Sequence, residues 1–167
     1  GGEWPSAVGV NPVSGYVYVA NFNTSDVTVF SRARSPWLRK AASSPRAVGA
    51  NSASGYIYMA NYDSDDVTVL LGTQVVTTIA TGDRPEAVGV NSVTGYVYVA
   101  NFGSDNVTVL SGTQVITTVS TDRWPVAVGV NPASGYVYVV NHYYGTVSVL
   151  SGTQVIATLA AGSYPVA

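Results

Sequence analysis

Cysteine is absent from this 167-residue chain, and histidine and methionine occur once each. Without cysteine there is no disulfide, no thiol nucleophile and no thiolate metal site, and the absence is neutral about compartment. A single histidine, His142, excludes a multi-histidine metal or lyase centre within one chain. Charge is also scarce: seven basic and nine acidic residues give a net charge of −2, with no basic field to attract nucleic acid. Hydrophobic residues make up 47% of the chain, yet no apolar run is long enough to span a bilayer. No segment has helical periodicity. The opening Gly1-Gly2-Glu3-Trp4 is not a charged and apolar leader, so any secretion signal is expected outside this sequence.

What the chain does have is a repeat of forty residues. Pro5, Pro45, Pro85, Pro125 and Pro165 fall at one constant interval, and the residues between them keep register. The third unit serves as the template. Ala87–Val90 is a short apolar run. Asn91 to Gly95 has turn chemistry, with Asn able to cap the loop and Gly to take positive φ. Tyr96–Ala100 alternates aromatic and branched residues, as expected of a strand buried on both faces. After a polar loop, Val107–Leu110 and Val115–Val119 flank the tight turn Ser111-Gly112-Thr113-Gln114.

Four short antiparallel strands per unit make a small sheet that cannot bury both faces alone, so neighbouring units must stack. The expected fold is therefore all-β, a β-propeller with four four-stranded blades at 5–44, 45–84, 85–124 and 125–164. A β-helix is the rival architecture, but its connections do not form up-and-down hairpins.

The residues also carry a family resemblance. Gly95-Tyr96-Val97-Tyr98-Val99-Ala100-Asn101, then Ser104-Asp105-Asn106-Val107-Thr108-Val109, then Gly112-Thr113 before a Val/Ile-rich strand and Pro125, resembles the YVTN-type β-propeller repeat over the whole chain. The resemblance implies the propeller fold and an extracellular, cell-surface or periplasmic location. It implies no single activity, because related propellers include lactonases, a streptogramin lyase and binding proteins.

Chain ends at 2–5 and 162–165 lie in the same interblade loop, leaving four whole units and the start of a fifth at Pro165-Val166-Ala167. An open stack would expose two terminal blade faces of ~600–800 Å² each, worth on the order of 15–20 kcal/mol as an upper bound. Patches of that size do not stay exposed. Self-association into an eight-bladed homodimer is the favoured expectation, ahead of a closed four-bladed monomer or a slice of a longer protein.

One segment departs from the repeat. Ser31 to Ala41 holds four of the seven basic residues and lacks the Ser-Gly-Thr-Gln turn of the other units. A basic insertion for an acidic partner is one reading. Retained spacing favours another, a pair of compensating frameshifts in the outer strand of the first blade, with Pro36 on an edge where a missing donor is tolerated.

Variation between units concentrates on one face, formed by the loop between second and third strands and the loop between blades. It carries Trp4, Arg84, Trp124 and Tyr164 before the prolines, and Asp26, Asp63, Asp65, Asp66, Asp105, His142, Tyr143 and Tyr144 in the other loop. Aromatics beside carboxylates are suited to a carbohydrate, a peptide or a protein segment. Asp63, Asp65 and Asp66 are candidate calcium ligands, although the glycine and distal glutamate of a dedicated loop are missing and a solvated turn is the simpler reading; no other cofactor is expected. Asn21, Asn61, Asn101 and Asn141 read as turn residues, and Tyr16, Tyr18 and their equivalents as interblade core.

No nucleophile elbow, phosphate loop or paired-carboxylate spacing is present. The third and fourth units agree at 22 of 40 positions, which leaves little divergence for a specialised catalytic blade. The expected function is a non-enzymatic binding or structural module of a surface or secreted repeat protein. The alternative is a lactonase-like hydrolase or lyase acting at the central channel, with His142 as a lone acid or base.

Overall fold

The computed structural model describes residues 3–31, 34–40 and 43–166, with the side chains of residues 34–36 left aside. Blade 1 contains β1 (Pro5–Val10), β2 (Val17–Asn21), β3 (Asp26–Ser31) and β4 (Arg34–Lys40). Blade 2 contains β5 (Pro45–Ala50), β6 (Tyr56–Asn61), β7 (Asp66–Leu71) and β8 (Gln74–Ala80). Blade 3 contains β9 (Pro85–Val90), β10 (Tyr96–Asn101), β11 (Asn106–Ser111) and β12 (Gln114–Ser120). Blade 4 contains β13 (Pro125–Val130), β14 (Tyr136–Asn141), β15 (Thr146–Ser151) and β16 (Gln154–Ala160). Each blade is an antiparallel sheet in sequence order, the up-and-down arrangement of a propeller blade. Among the described residues there is no helix, and so none long and apolar enough to cross a membrane.

Turn chemistry acts as the repeat predicts. Asn91 Oδ1 accepts from the amides of Val93 and Thr94 at 3.0 and 3.2 Å, its carbonyl accepts from the Gly95 amide at 2.8 Å, and Gly95 has φ 79°. An Asx-turn of this kind reverses the chain without help from tertiary contacts. Strands run one or two residues beyond the expected limits; in β9 a bulge between Pro85 and Ala87 lets the donor-less proline join the ladder opposite Asn101.

The core lies between blades. Tyr18, Ala20, Val27 and Val29 of blade 1 pack on Ile57, Met59 and Leu70 of blade 2, and the same columns meet at the next two junctions. Close approach of the inner strands requires a residue without a side chain. A Cβ added to Gly49 would lie 2.6 Å from Val88 Cγ1, and Gly9 and Gly89 face Val48 and Val128 in the same way. Tyr18 and Tyr58 donate their hydroxyls to the carbonyls of Gly72 and Gly112 at 2.9 and 3.0 Å, tying each blade to the outer turn of the next.

Two expectations need correction. Tyrosine is interblade core in three blades only: Tyr18, Tyr58 and Tyr98 are buried, but Tyr136 and Tyr138 of blade 4 are 39% and 37% exposed. Among the described residues the inner strands of blades 1 and 2, 2 and 3, and 3 and 4 pack together, and no comparable packing joins blade 4 to blade 1, so the four blades form an open arc in this structure. The recurring asparagines are likewise more than turn residues. Asn21, Asn61 and Asn101 end the second strand of their blades, buried, and each Nδ2 donates to the side chain at the start of the third strand and to a threonine hydroxyl two residues on. Asn141 contacts Thr146 and Ser148 in the same columns.

Residues 32, 33, 41 and 42 of the divergent segment, together with the environment of Pro36, lie outside what is described. β4 is the outer edge strand, as expected. Trp37 occupies the position of Thr77 opposite the third strand and packs edge-on against Tyr16, with ring centroids 6.4 Å apart. Arg39 Nε donates to the Thr73 carbonyl of blade 2 at 2.7 Å. The altered strand therefore contributes to the first junction.

Burial pushes the Tyr18 and Tyr58 hydroxyls up to about 12, with the neighbouring Tyr16 and Tyr56 adding to the effect. Unfolded tyrosine ionises near pH 10. The fold thus prefers the neutral phenol, and its contribution is intact below pH ~10 and lost as pH rises through about 12. Urea midpoints measured from pH 8 to 12.5 should fall over that window, and the Tyr18→Phe/Tyr58→Phe double variant should flatten the fall. An unchanged slope would mean that these hydroxyls are hydrated.

Candidate functional site

The loop between second and third strands and the loop between blades are tied together by backbone hydrogen bonds, which puts both on one face. The amides of Phe22, Tyr62, Phe102 and His142 donate to the carbonyls of Trp4, Ser44, Arg84 and Trp124 at 2.9 to 3.0 Å. These carbonyl-bearing residues, and Tyr164, precede the blade-opening prolines and have φ between 52° and 58°. That left-handed conformation favours glycine, and a residue before proline is further biased toward extended backbone. Neighbouring loops hold it. Asp65 and Asp105 accept from the Arg84 and Trp124 amides at 2.7 and 3.0 Å, and Ser25 Oγ accepts from the Ser44 amide at 3.3 Å.

Side chains on this scaffold form a ladder across the blades. The Arg46 guanidinium lies 4.9 Å from the Phe22 ring centroid and 4.6 Å from that of Tyr62, and Arg84 is 5.8 Å from Tyr62. Phe102 stacks on Trp124 at 5.4 Å, Trp124 on His142 at 6.3 Å, and His142 meets Tyr164 at 5.4 Å. Tyr143 stands edge-on to Trp124, with Tyr144 edge-on behind it, each pair 4.9 Å apart, and Arg123 lies 4.7 Å over Tyr143. Guanidinium between aromatic faces and rings in offset contact are both favourable arrangements.

Of the sequence candidates, Trp124, His142, Tyr143, Tyr144 and Tyr164 come together, and the last three line a shallow cavity of about 370 Å³ with Gly145 and Ser163. Arg84 belongs to the middle of the ladder. Trp4 is at the opposite end, beside Phe22 and Arg46 in a second depression of about 310 Å³, and is not brought to Tyr164. Phe22, Arg46, Tyr62, Phe102 and Arg123 were not anticipated. The signal for Phe22, Tyr62 and Phe102 was present, since with His142 they occupy the column after the recurring asparagine.

The acidic triplet is distributed rather than convergent. Asp63 accepts from the Ser44 hydroxyl, Asp65 from the Arg84 amide and Asp66 from Asn61 Nδ2. Among the described residues no three acidic or histidine side chains converge as a metal site. Burial raises the Asp66 carboxyl above its ordinary value, opposed by hydrogen bonds from Asn61 and Ser64 and reinforced by the charge of Asp65. Near the ladder, Arg46 pairs with Glu86 on the inner strand at 3.2 Å; burial raises the Glu86 carboxyl and the Arg46 charge opposes the rise. His142 Nδ1 is 3.0 Å from the Pro165 carbonyl, so in the neutral ring this nitrogen carries the proton and donates.

No family profile and no curated protein matches the chain. Solved structures do. Hydrazine synthase from Kuenenia stuttgartiensis superposes with a TM-score of 0.85 over 93% of this chain and 49% of its own, at 19% identity. Virginiamycin B lyase from Staphylococcus aureus, in a structure with quinupristin, gives 0.81 over 93% and 55%, at 6% identity. A chain of the nidogen/laminin complex gives 0.73 over 96% and 66%, at 16% identity. The chain spans about half the length of the first two. At these identities the likeness is one of fold, and what the likeness and the four stacked sheets establish together is the β-propeller architecture.

Proposed function

We propose that this chain is a non-enzymatic recognition module of a surface or secreted repeat protein, and that it binds a carbohydrate, peptide or protein segment through the loop face. The observation that carries the reading is the aromatic and guanidinium ladder on residues with left-handed backbone. Glycine would relax that backbone, yet Trp4, Arg84, Trp124 and Tyr164 place large side chains there. Trp124 remains half-buried and Tyr143, Tyr144 and Tyr164 are exposed, which leaves ring surface for a flat or apolar ligand face. Nidogen/laminin is a fold neighbour solved as a protein complex, consistent with a propeller serving recognition. A lyase among the neighbours keeps a channel enzyme as the alternative, but the one histidine is hydrogen-bonded to a backbone carbonyl and not to a carboxylate.

Titration of oligosaccharide and peptide panels, followed by tryptophan emission and calorimetry, tests the proposal. Trp124→Ala and Tyr144→Ala should each weaken binding by about tenfold or more, equivalent to roughly 1.4 kcal/mol, while far-ultraviolet circular dichroism stays unchanged. Binding that is indifferent to both substitutions would move the site off this face.

A further inference from the structure

Charge is shared unequally between the two ends of the blades. All nine acidic residues stand on the loop face, in its two kinds of loop or at the strand ends that border them, and the turns at the other end hold none. Four of the seven basic residues belong to the divergent outer segment, which leaves Arg46, Arg84 and Arg123 among the carboxylates. A chain with a net charge of only −2 therefore presents one strongly acidic face.

Two of these carboxylates meet a cation among the described residues, and both do so in one pattern. Arg46 pairs with Glu86 at 3.2 Å while its guanidinium lies 4.9 and 4.6 Å from the Phe22 and Tyr62 rings. Arg123 approaches Asp105 at 3.8 Å while it lies 4.7 Å from the Tyr143 ring and 5.8 Å from that of Trp124. The face thus holds a guanidinium between ring and carboxylate twice, at junctions between blades of this chain. Other carboxylates take neutral donors, which leave their charge uncompensated: Asn23 Nδ2 donates to Glu3, the Ser44 hydroxyl to Asp63 and the Thr146 hydroxyl to Asp122. Ring surface also remains in the middle of the face, where Tyr62, Phe102 and Trp124 are part-exposed. Asp63 follows Tyr62 in its loop and Asp83 packs on Gly103 beside Phe102; both are exposed, and with Asp65 they outnumber the Arg84 guanidinium.

We infer that the ligand of the loop face is a basic peptide segment, whose arginine and lysine side chains lay their stems on these rings and turn their charged heads to the neighbouring carboxylates. The inference rests on the reading of this face as a recognition surface and narrows its ligand class. A neutral sugar would gain from the rings and nothing from the charge, and an acidic segment would be repelled. A metal ion would use carboxylates alone, and no three converge among the described residues. A segment is favoured over a single small amine because the carboxylates are spread over several blades. Arginine should be preferred to lysine, since its planar head fits between ring and carboxylate as Arg46 and Arg123 do.

Fluorescence anisotropy with labelled peptides of alternating Gly-Arg, Gly-Lys, Gly-Ser and Gly-Glu is the test. The arginine peptide should bind about tenfold or more tightly than the serine peptide, and the glutamate peptide should not bind. Raising salt from about 0.05 to about 0.5 M should weaken the arginine peptide by about tenfold. Asp63→Asn/Asp83→Asn should weaken it by a similar factor and flatten the salt dependence, with circular dichroism unchanged. Trp124→Ala should weaken it as well, because rings and charges act together. Arginine and serine peptides that bind equally, or an oligosaccharide that binds through Trp124 while the arginine peptide does not, would overturn the basic class and leave the loop face as the site. Arginine-peptide binding that is indifferent to Trp124→Ala would be diffuse charge attraction, and would overturn this inference together with the reading on which it rests. No binding of the arginine peptide at all would overturn the inference.

Discussion

Replacing Gly49 by alanine should destabilise the chain by about 2–3 kcal/mol, although it adds one methyl group. The new Cβ would lie 2.6 Å from Val88 Cγ1 and 2.8 Å from Val90 Cγ2. Both valines are β-branched and sit on a paired strand, so neither side chain can swing away without leaving its rotamer. The inner strands of blades 2 and 3 must separate, and the cluster joining Tyr58 to Val97 and Leu110 loosens with them. Gly129→Ala is the control. It makes the same chemical change in the same column of the same strand, but with open space around it should shift stability of the unassociated chain by less than about 0.5 kcal/mol. Urea denaturation of the two variants in parallel measures the difference. Equal effects would mean that the glycines serve the strand itself and not the approach of neighbouring blades.

Tyr58→Ala should be the more damaging change, costing about 3–5 kcal/mol, the range for removing a buried aromatic side chain. The residue is fully buried between blades 2 and 3 and donates its hydroxyl to the Gly112 carbonyl at 3.0 Å. Tyr58→Phe keeps the ring and gives up the hydrogen bond, so about 1 kcal/mol is expected. Against a total stability of about 5–15 kcal/mol for a domain, the alanine variant approaches loss of the fold, and the phenylalanine variant does not. Tyr138→Ala in the unassociated chain should cost far less, because that ring is 37% exposed. The ordering Tyr58→Ala, Tyr58→Phe, Tyr138→Ala in denaturant midpoint is the test. If Tyr138→Ala falls beside Tyr58→Ala, blade 4 is covered in the isolated chain and the arc is closed.

Sequence by itself determined the four-stranded repeat unit, the order of its strands and the positions of the turns. These features depend on contacts within a unit. Asn91 makes the Asx-turn with the amides two and three residues on, and the Gly95 amide closes the loop on the Asn91 carbonyl; the hairpin at Gly112 needs one left-handed residue, and alternation in Tyr96–Ala100 marks a strand wherever it is placed. The loop face was legible for a related reason: Trp124, His142, Tyr143, Tyr144 and Tyr164 break an otherwise regular repeat.

Tertiary structure decided what depends on neighbouring units. Tyr138 and Tyr58 occupy the same column of the repeat, yet Tyr58 is buried against Val97 and Leu110 of blade 3 whereas Tyr138 is 37% exposed. Asp65 looked like a member of an acidic cluster, but it reaches nineteen residues ahead to the Arg84 amide and so holds the next blade's strained residue in place. Arg46 appeared as one basic residue among seven, and becomes a rung of the ladder because Phe22 and Tyr62 arrive from two different blades to enclose it. The physical reason is the same in each case. In a stack of nearly identical sheets, local sequence sets the conformation of each unit, whereas burial, ion pairing and ring stacking are properties of the junction between two.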